Sequence, residues 1–310
     1  MSPMLSIICI LGGFLLLVKG ADWFVSGASG LARRLGIPPL VIGLTIVAFG
    51  TSAPELAVSV TAALRGANEI AVGNVIGSNL FNLLVVAGGS AVLCPLVADR
   101  TLLKRDWPCS TVAALLLTGM LMLNHNITRM EAVVLLVLFG LMLTLQLRGA
   151  KTGAGTEGTA EEHRSGWVLT ALIVVGIGCI VAGGEFAVRG ATGLARAFGL
   201  SESLIGLTIV AVGTSLPELV TSIVAARRGE NEIAMGNVIG SNLFNILCIL
   251  GISAFLNPIT VAPTAMVDAA LLTIVSVVFW FAARRGTLSR MTGGLMVCLY
   301  VAYTGYLIVR

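Results

Sequence analysis

Charge is scarce in this sequence. Asp, Glu, Lys and Arg make up 11% of its 310 residues, where a soluble globular domain carries roughly 25%. So few charges cannot cover a water-facing surface, and 57% of the chain is hydrophobic with a mean hydropathy of +1.00. Most of the surface is therefore expected to face lipid. Histidine is scarce: His125 falls in a short loop and His163 in a polar linker, and neither is expected to bind a metal. The six cysteines (Cys9, Cys94, Cys109, Cys179, Cys248 and Cys298) lie in apolar runs without metal or redox spacing. They are expected to be buried small hydrophobes. There is no Walker A sequence, so ATP is not the expected driver. There is no HExxH and no nucleophile paired with a base, so neither an enzyme nor a cofactor is expected. Alternating barrel patterning is absent. No cationic region precedes the apolar run Met4–Val18, which argues against a cleaved signal peptide.

What is present is a series of apolar stretches of helical, bilayer-spanning length, ~20 residues or more. They fall near 4–33, 38–65, 69–93, 104–123, 128–148, 166–197, 201–227, 232–256, 262–283 and 288–309. The expected fold is an all-α membrane protein with ten transmembrane helices. The basic residues divide unevenly between the two sides of such a bundle. One side receives Arg33, Arg34, Arg100, Lys104, Arg105, Arg148, Lys151, Arg164, Arg227, Arg228, Arg284, Arg285 and Arg290. The other receives Arg65, Arg129, Arg196 and Arg310, while Lys19 and Arg189 fall within spans. The positive-inside rule then places both termini outside the cytoplasm of a multi-pass inner (plasma) membrane protein. The net charge of +4 reports topology, and no nucleic-acid partner is expected.

A shift of 163 residues aligns the chain with itself. Val41–Val60 (VIGLTIVAFGTSAPELAVSV) matches Leu204–Ile223 (LIGLTIVAVGTSLPELVTSI) at fourteen of twenty positions. Ile70–Leu83 (IAVGNVIGSNLFNL) matches Ile233–Ile246 (IAMGNVIGSNLFNI) at twelve of fourteen. Matching is strongest at polar residues, which packing alone does not favour. Five spans per copy is an odd number, so the second copy must enter the membrane from the opposite side, an arrangement known among transporters. The expected organisation is a first five-helix repeat at 1–148, a cytoplasmic linker at 149–165, and a second, inverted repeat at 166–310.

Each repeat carries a helix breaker at membrane depth. Pro54 lacks an N–H and leaves the Gly50 carbonyl without its helical partner. Ala53, preceding proline, is pushed away from α geometry. Gly213–Glu218 repeats every element of Gly50–Glu55. Ser52-x-x-Glu55 also fits a capping box. Capping alone does not explain an acid near the midplane, which costs ~2.5–3.5 kcal/mol on insertion scales. In the next span Asn74, Ser78 and Asn82 share one helical face, as do Asn237, Ser241 and Asn245. Asn74 and Asn237 suit interhelical hydrogen bonding or ion binding equally; the others suit cavity-lining oxygens. Gly73, Gly77, Gly236 and Gly240 allow close helix approach. The result is an all-oxygen site with no histidine or cysteine, which suits hard ions such as Ca²⁺, Mg²⁺ and Na⁺. Glu55 and Glu218 balance one divalent charge. Losing that ion would leave two bare carboxylates in a low-dielectric site, so replacement by Na⁺ or H⁺ is favoured. Of the other acids, Asp22 and Glu185 match in the repeat and either flank an ion pathway or pair locally, with Arg189 a candidate partner. Asp268 and Glu131, near span ends, are expected to be structural.

With GTSAPE and GTSLPE each followed by GNVIGSNLFN, the sequence resembles the prokaryotic calcium:cation antiporters, specifically their sodium/calcium exchanger branch. The resemblance covers nearly the whole chain. It implies ten helices, an ion core from the second, third, seventh and eighth spans, and first and sixth spans that slide across that core. It implies Ca²⁺ ligands at Glu55, Glu218 and the backbone oxygens of Thr51 and Thr214. Flanking Na⁺ sites would fall at Ala48, Ser52 and Ser241, and at Ala211, Ser215 and Ser78, with a central polar pair at Asn82 and Asn245. Several family members have aspartate at one central position, whereas this chain has asparagine at both, which bears on stoichiometry, K⁺ dependence and H⁺ participation. The linker is too short for a regulatory domain, and no obligatory protein partner is expected. The expected function is secondary active exchange of Ca²⁺ for Na⁺ by alternating access. Alternatives are a Ca²⁺/H⁺ or K⁺-dependent exchanger on the same fold and, more distantly, a cation channel.

Overall fold

The computed structural model describes residues 1–150, 165–199, 205, 209 and 211–309. Most of the 149–165 linker, His163 and much of the start of the seventh expected span lie outside these residues. Helix α1 spans Pro3–Leu35. The Ser2 hydroxyl accepts from Leu5 N–H at 3.3 Å, Pro3 opens the first turn, and Gly36 closes the helix at φ +63°. At ~1.5 Å per residue its 33 residues exceed the bilayer core, which a tilt accommodates. The chain continues through α2 (Pro39–Thr51), α3 (Ala53–Leu64), α4 (Asn68–Leu93), α5 (Leu102–Asn124) and α6 (Arg129–Ala150). After the linker come α7 (Gly166–Ala197), α8 (Ala211–Thr214), α9 (Leu216–Arg227), α10 (Asn231–Leu256), α11 (Pro263–Ala283) and α12 (Arg290–Val309).

Among the described residues, eight helices are long and apolar enough to cross a membrane, and α2 with α3, bent by 52°, makes a ninth. The expected break is present, displaced by one residue. Ser52 (φ −85°, ψ 10°) separates α2 from α3, while Ala53 is already helical and Pro54 sits in the first turn, where its missing N–H breaks no bond. Ser215 (φ −96°, ψ 8°) does the same between α8 and α9.

The long helices α1 and α7 pack antiparallel on glycine. A Cβ built at Gly13 would lie 2.7 Å from the Gly183 carbonyl oxygen, and one at Gly183 would lie 2.7 Å from that of Gly13. Gly20 and Gly176 meet in the same reciprocal way, at 2.9 and 2.8 Å. Such self-complementary contacts are those of a two-fold axis. At the centre α2 lies on α10: Cβ atoms built at Gly236 and Gly240 would come within 2.9 Å of Leu40 O and 2.6 Å of Leu44 O. The glycines predicted to allow close approach do so on α10. On α4, no described atom comes within 4 Å of a Cβ at Gly73 or Gly77, and the matching residues 203, 206 and 207 lie outside the described set.

Two short ribbons tie the loops of one copy to the other. Strand β1 (Leu96–Val97) pairs antiparallel with β4 (Thr287–Leu288), and β2 (Asn126–Ile127) pairs with β3 (Ile259–Thr260). The cysteine expectation needs correction: Cys248 is buried, but Cys109 and Cys298 are exposed on outer helices, where the surroundings are lipid and burial in protein is not required. His125 closes α5 in the left-handed region at φ 54°, a backbone role.

Candidate cation site

Glu55 and Glu218 occupy the first turns of α3 and α9, and both side chains are fully buried. A helix N-terminus favours a carboxylate. The capping box allowed by the sequence does not form, since neither Ser52 nor Ser215 makes a side-chain bond to its own helix. Each serine reaches across to the other copy. Ser52 Oγ donates to Glu218 Oε1 at 2.7 Å, and Ser215 Oγ donates to Glu55 Oε1 at 2.9 Å. Ser78 Oγ joins this cluster, 3.2 Å from Ser215 Oγ and 3.5 Å from Glu55 Oε1. The second carboxylate oxygens, Glu55 Oε2 and Glu218 Oε2, are buried without a donor among the described residues.

Asn74 and Asn237 belong to the support of the site. Asn74 Nδ2 donates to Glu55 O at 3.3 Å and Ser59 Oγ at 2.9 Å. Asn237 Nδ2 donates to Glu218 O at 3.3 Å and Ser222 Oγ at 2.9 Å. Thr51 Oγ1 donates to Asn237 Oδ1 at 3.0 Å, so its side chain points into this support while its backbone ends α2 beside the break at Ser52. Ala48 is fully buried on α2, and its Cβ is 2.8 Å from a Cβ built at Gly240. Ala211 opens α8, and its side chain lies outside the described residues. Thr214 ends α8 and, with Asn74 and Ser78, lines a cavity of about 860 Å³ whose walls also include Glu69 and Asp268.

Asn82 and Asn245 are fully buried where α4 and α10 widen into π-helical turns at Asn82–Ala87 and Phe244–Ile249. Such turns recur at functional sites. Both Oδ1 atoms and Ser241 Oγ are buried with no partner among the described residues. Sequence reasoning missed Asn79 and Asn242, which hold these amides in place. They are identical in the repeat, but they fall off the face defined by Asn74, Ser78 and Asn82. Two crossing helices bury more than one such face.

An unpartnered buried acceptor costs about 1–3 kcal/mol, and more when charged. Four of these acceptors come as symmetry pairs: two carboxylate and two amide oxygens. Their all-oxygen chemistry suits a hard cation.

Of the other predicted acids, Glu185 and Glu131 pair within a few residues, and Asp22 pairs with the other copy. Glu185 Oε1 accepts from Arg189 Nη2 at 2.5 Å, and Asp22 pairs with Arg228. Glu131 accepts from Thr128 N–H and Oγ1, both at 2.8 Å, and caps α6.

Comparison with known proteins agrees with this fold. The family model described as sodium/calcium exchanger protein matches residues 5–148 and 168–309. The chain is 39% identical over 308 residues to the inner membrane protein YrbG of Escherichia coli (strain K12), covering 94% of each. It is 32% identical over 335 aligned residues to the sodium/calcium exchanger MaX1 of Methanosarcina acetivorans, covering 95% of this chain and 96% of that one. The structure of the sodium-calcium exchanger NCX_Mj soaked with zero Na⁺ and Ca²⁺ superposes with a TM-score of 0.87 at 32% identity, over 99% of this chain and all of the other. Sequence, fold and the paired acidic helix breaks lead to one conclusion: this integral membrane protein belongs to the sodium/calcium exchanger family.

Proposed function

We propose that the chain exchanges Ca²⁺ for Na⁺ by secondary active antiport at a single buried site. The observation that carries this reading is the reciprocal pair of serine–glutamate bonds, Ser52 to Glu218 and Ser215 to Glu55, with both Oε2 atoms left unpartnered. Two buried carboxylates match one Ca²⁺. Without it they repel each other in a low dielectric, so the protein does not change sides until Na⁺ replaces it. Ca²⁺ is bound by Glu55, Glu218 and the backbone oxygens of Thr51 and Thr214. Na⁺ takes the flanking positions at Ala48, Ser52 and Ser241 and at Ala211, Ser215 and Ser78, and Asn82 with Asn245 supplies the centre.

The bundle in this reading has ten spans, divided into a repeat at 1–148 and an inverted repeat at 166–310, with both termini extracytoplasmic. The antiparallel α1–α7 contact supports inversion, because each helix is the copy of the other. Glycine at Gly13, Gly20, Gly176 and Gly183 lets the two backbones come into direct contact.

Reconstituted flux tests the proposal. Ca²⁺ loaded into proteoliposomes should leave on addition of external Na⁺ and should ignore an imposed pH gradient. Flux that follows the pH gradient and is indifferent to Na⁺ would overturn the sodium reading, a strict K⁺ requirement would make the exchange K⁺-dependent, and unitary currents without a counter-ion would make the protein a channel.

A further inference from the structure

Asn79 and Asn242 lie where α4 crosses α10, each directly after a site serine (Ser78 and Ser241), and both are buried. A backbone carbonyl can only accept. Asn79 Nδ2 lies 3.2 Å from Asn242 O, and Asn242 Nδ2 lies 3.5 Å from Asn79 O. Each side chain must therefore turn its NH₂ toward the opposite main chain and its Oδ1 away from it. Asn79 Oδ1 then accepts from Asn245 Nδ2 at 2.9 Å, and Asn242 Oδ1 accepts from Asn82 Nδ2 at 3.2 Å. With their NH₂ groups turned to this bracket, Asn82 and Asn245 present Oδ1 on the other side, where neither has a donor among the described residues. Two main-chain carbonyls thus dictate the orientation of all four amides.

We propose that Asn79 and Asn242 are positioning residues that lock Asn82 and Asn245 with their oxygens toward the cation, making the centre of the site acceptor-only and proton-free. The inference rests on the cation-site reading above. An asparagine amide rotates about a broad, two-fold torsion, so a free one presents NH₂ as readily as oxygen. An NH₂ aimed at a cation repels it. The bracket removes that half of the conformations, and its acceptor oxygens hold the two amides by their NH₂ groups without adding a charge.

Transport in proteoliposomes tests this with Asn79→Leu, Asn245→Ala, the double variant, Asn245→Asp, and Glu55→Gln run beside them. Asn79→Leu should raise the Ca²⁺ KM roughly tenfold with little change in kcat, the scale of one buried hydrogen bond. Because Asn79 acts through Asn245, the double variant should be no worse than Asn245→Ala alone. Additive losses would mean a general packing role and overturn the proposal, as would an unchanged KM in Asn79→Leu. Asn245→Asp is near-isosteric and keeps the bracket testable if the leucine variant does not fold. Its oxygen would face Asn79 Oδ1, acceptor to acceptor, unless it carries a proton. That variant should gain a pH dependence beyond that of the natural chain, and an identical pH profile overturns the bracket. Exchange that survives Glu55→Gln overturns the cation-site reading itself, whereas loss there with normal Asn79→Leu kinetics defeats only the bracket.

Discussion

Thr128-x-x-Glu131 and Ser52-x-x-Glu55 are the same four-residue pattern with opposite fates. At the start of α6 the pattern closes on itself: Glu131 Oε2 accepts from Thr128 N–H at 2.8 Å, and Glu131 N–H donates to Thr128 Oγ1 at 3.3 Å. This is a capping box, and it satisfies two backbone groups of its own helix. At the start of α3 the pattern opens. Ser52 makes no bond to its helix and donates instead to Glu218, 166 residues away. Ser215 and Glu218 repeat the open form. A hydroxyl and a carboxylate three residues apart cap a helix when water or lipid headgroups surround them. The same pair becomes a binding site when an oppositely directed copy lies within reach.

Six substitutions sharpen or break this contrast. Glu55→Gln and Glu218→Gln have the largest expected effect. Each removes half the charge that balances a divalent ion, and disruption of a buried ion pair costs about 3–5 kcal/mol, on the order of 10²–10⁴ in affinity. Na⁺-dependent ⁴⁵Ca²⁺ flux should be abolished while the detergent-solubilised protein keeps its helical circular dichroism. Next, Ser52→Ala and Ser215→Ala strip one donor from the opposite carboxylate. Their Ca²⁺ KM should rise by roughly tenfold or more, the scale of a hydrogen bond to a charged group. If the serines were caps, thermal stability would fall and KM would not move. Asn74→Ala frees the Glu55 carbonyl and Ser59 Oγ and should shift KM only severalfold, since it acts through the backbone that carries the carboxylate. The smallest effect belongs to the true capping box: Thr128→Ala should lower stability by about 1 kcal/mol in a melting assay and leave the Ca²⁺ KM unchanged.

Much of the site was legible because duplication writes it twice. Glu55 and Glu218 stand out as acids at membrane depth, and Pro54 and Pro217 mark the breaks beside them. The displacement of the break from Ala53 to Ser52 shows the limit of a local rule: Pro54 needs only a place in a first turn, and Ala53 can join it there. Asp22 and Glu185 show a second limit. They match in the repeat, yet Glu185 pairs four residues along its own helix while Asp22 takes Arg228 from a distant loop. Equivalence in sequence carried over the charge but not its partner.

By itself the sequence determined the solvent, the helical stretches, the repeat and the two breaks. Each of these depends on composition or on neighbours a few residues away, where periodicity and proline sterics act. Only the tertiary structure decided which hydroxyl serves which carboxylate and which way each amide faces. Those choices rest on directional bonds between residues about 160 positions apart: Ser52 with Glu218, Ser215 with Glu55, Asn79 with Asn242 and Asn245, and Asn82 with Asn242. A hydrogen bond has meaning only when both ends are in place. The antiparallel seating of one copy against the other puts them there.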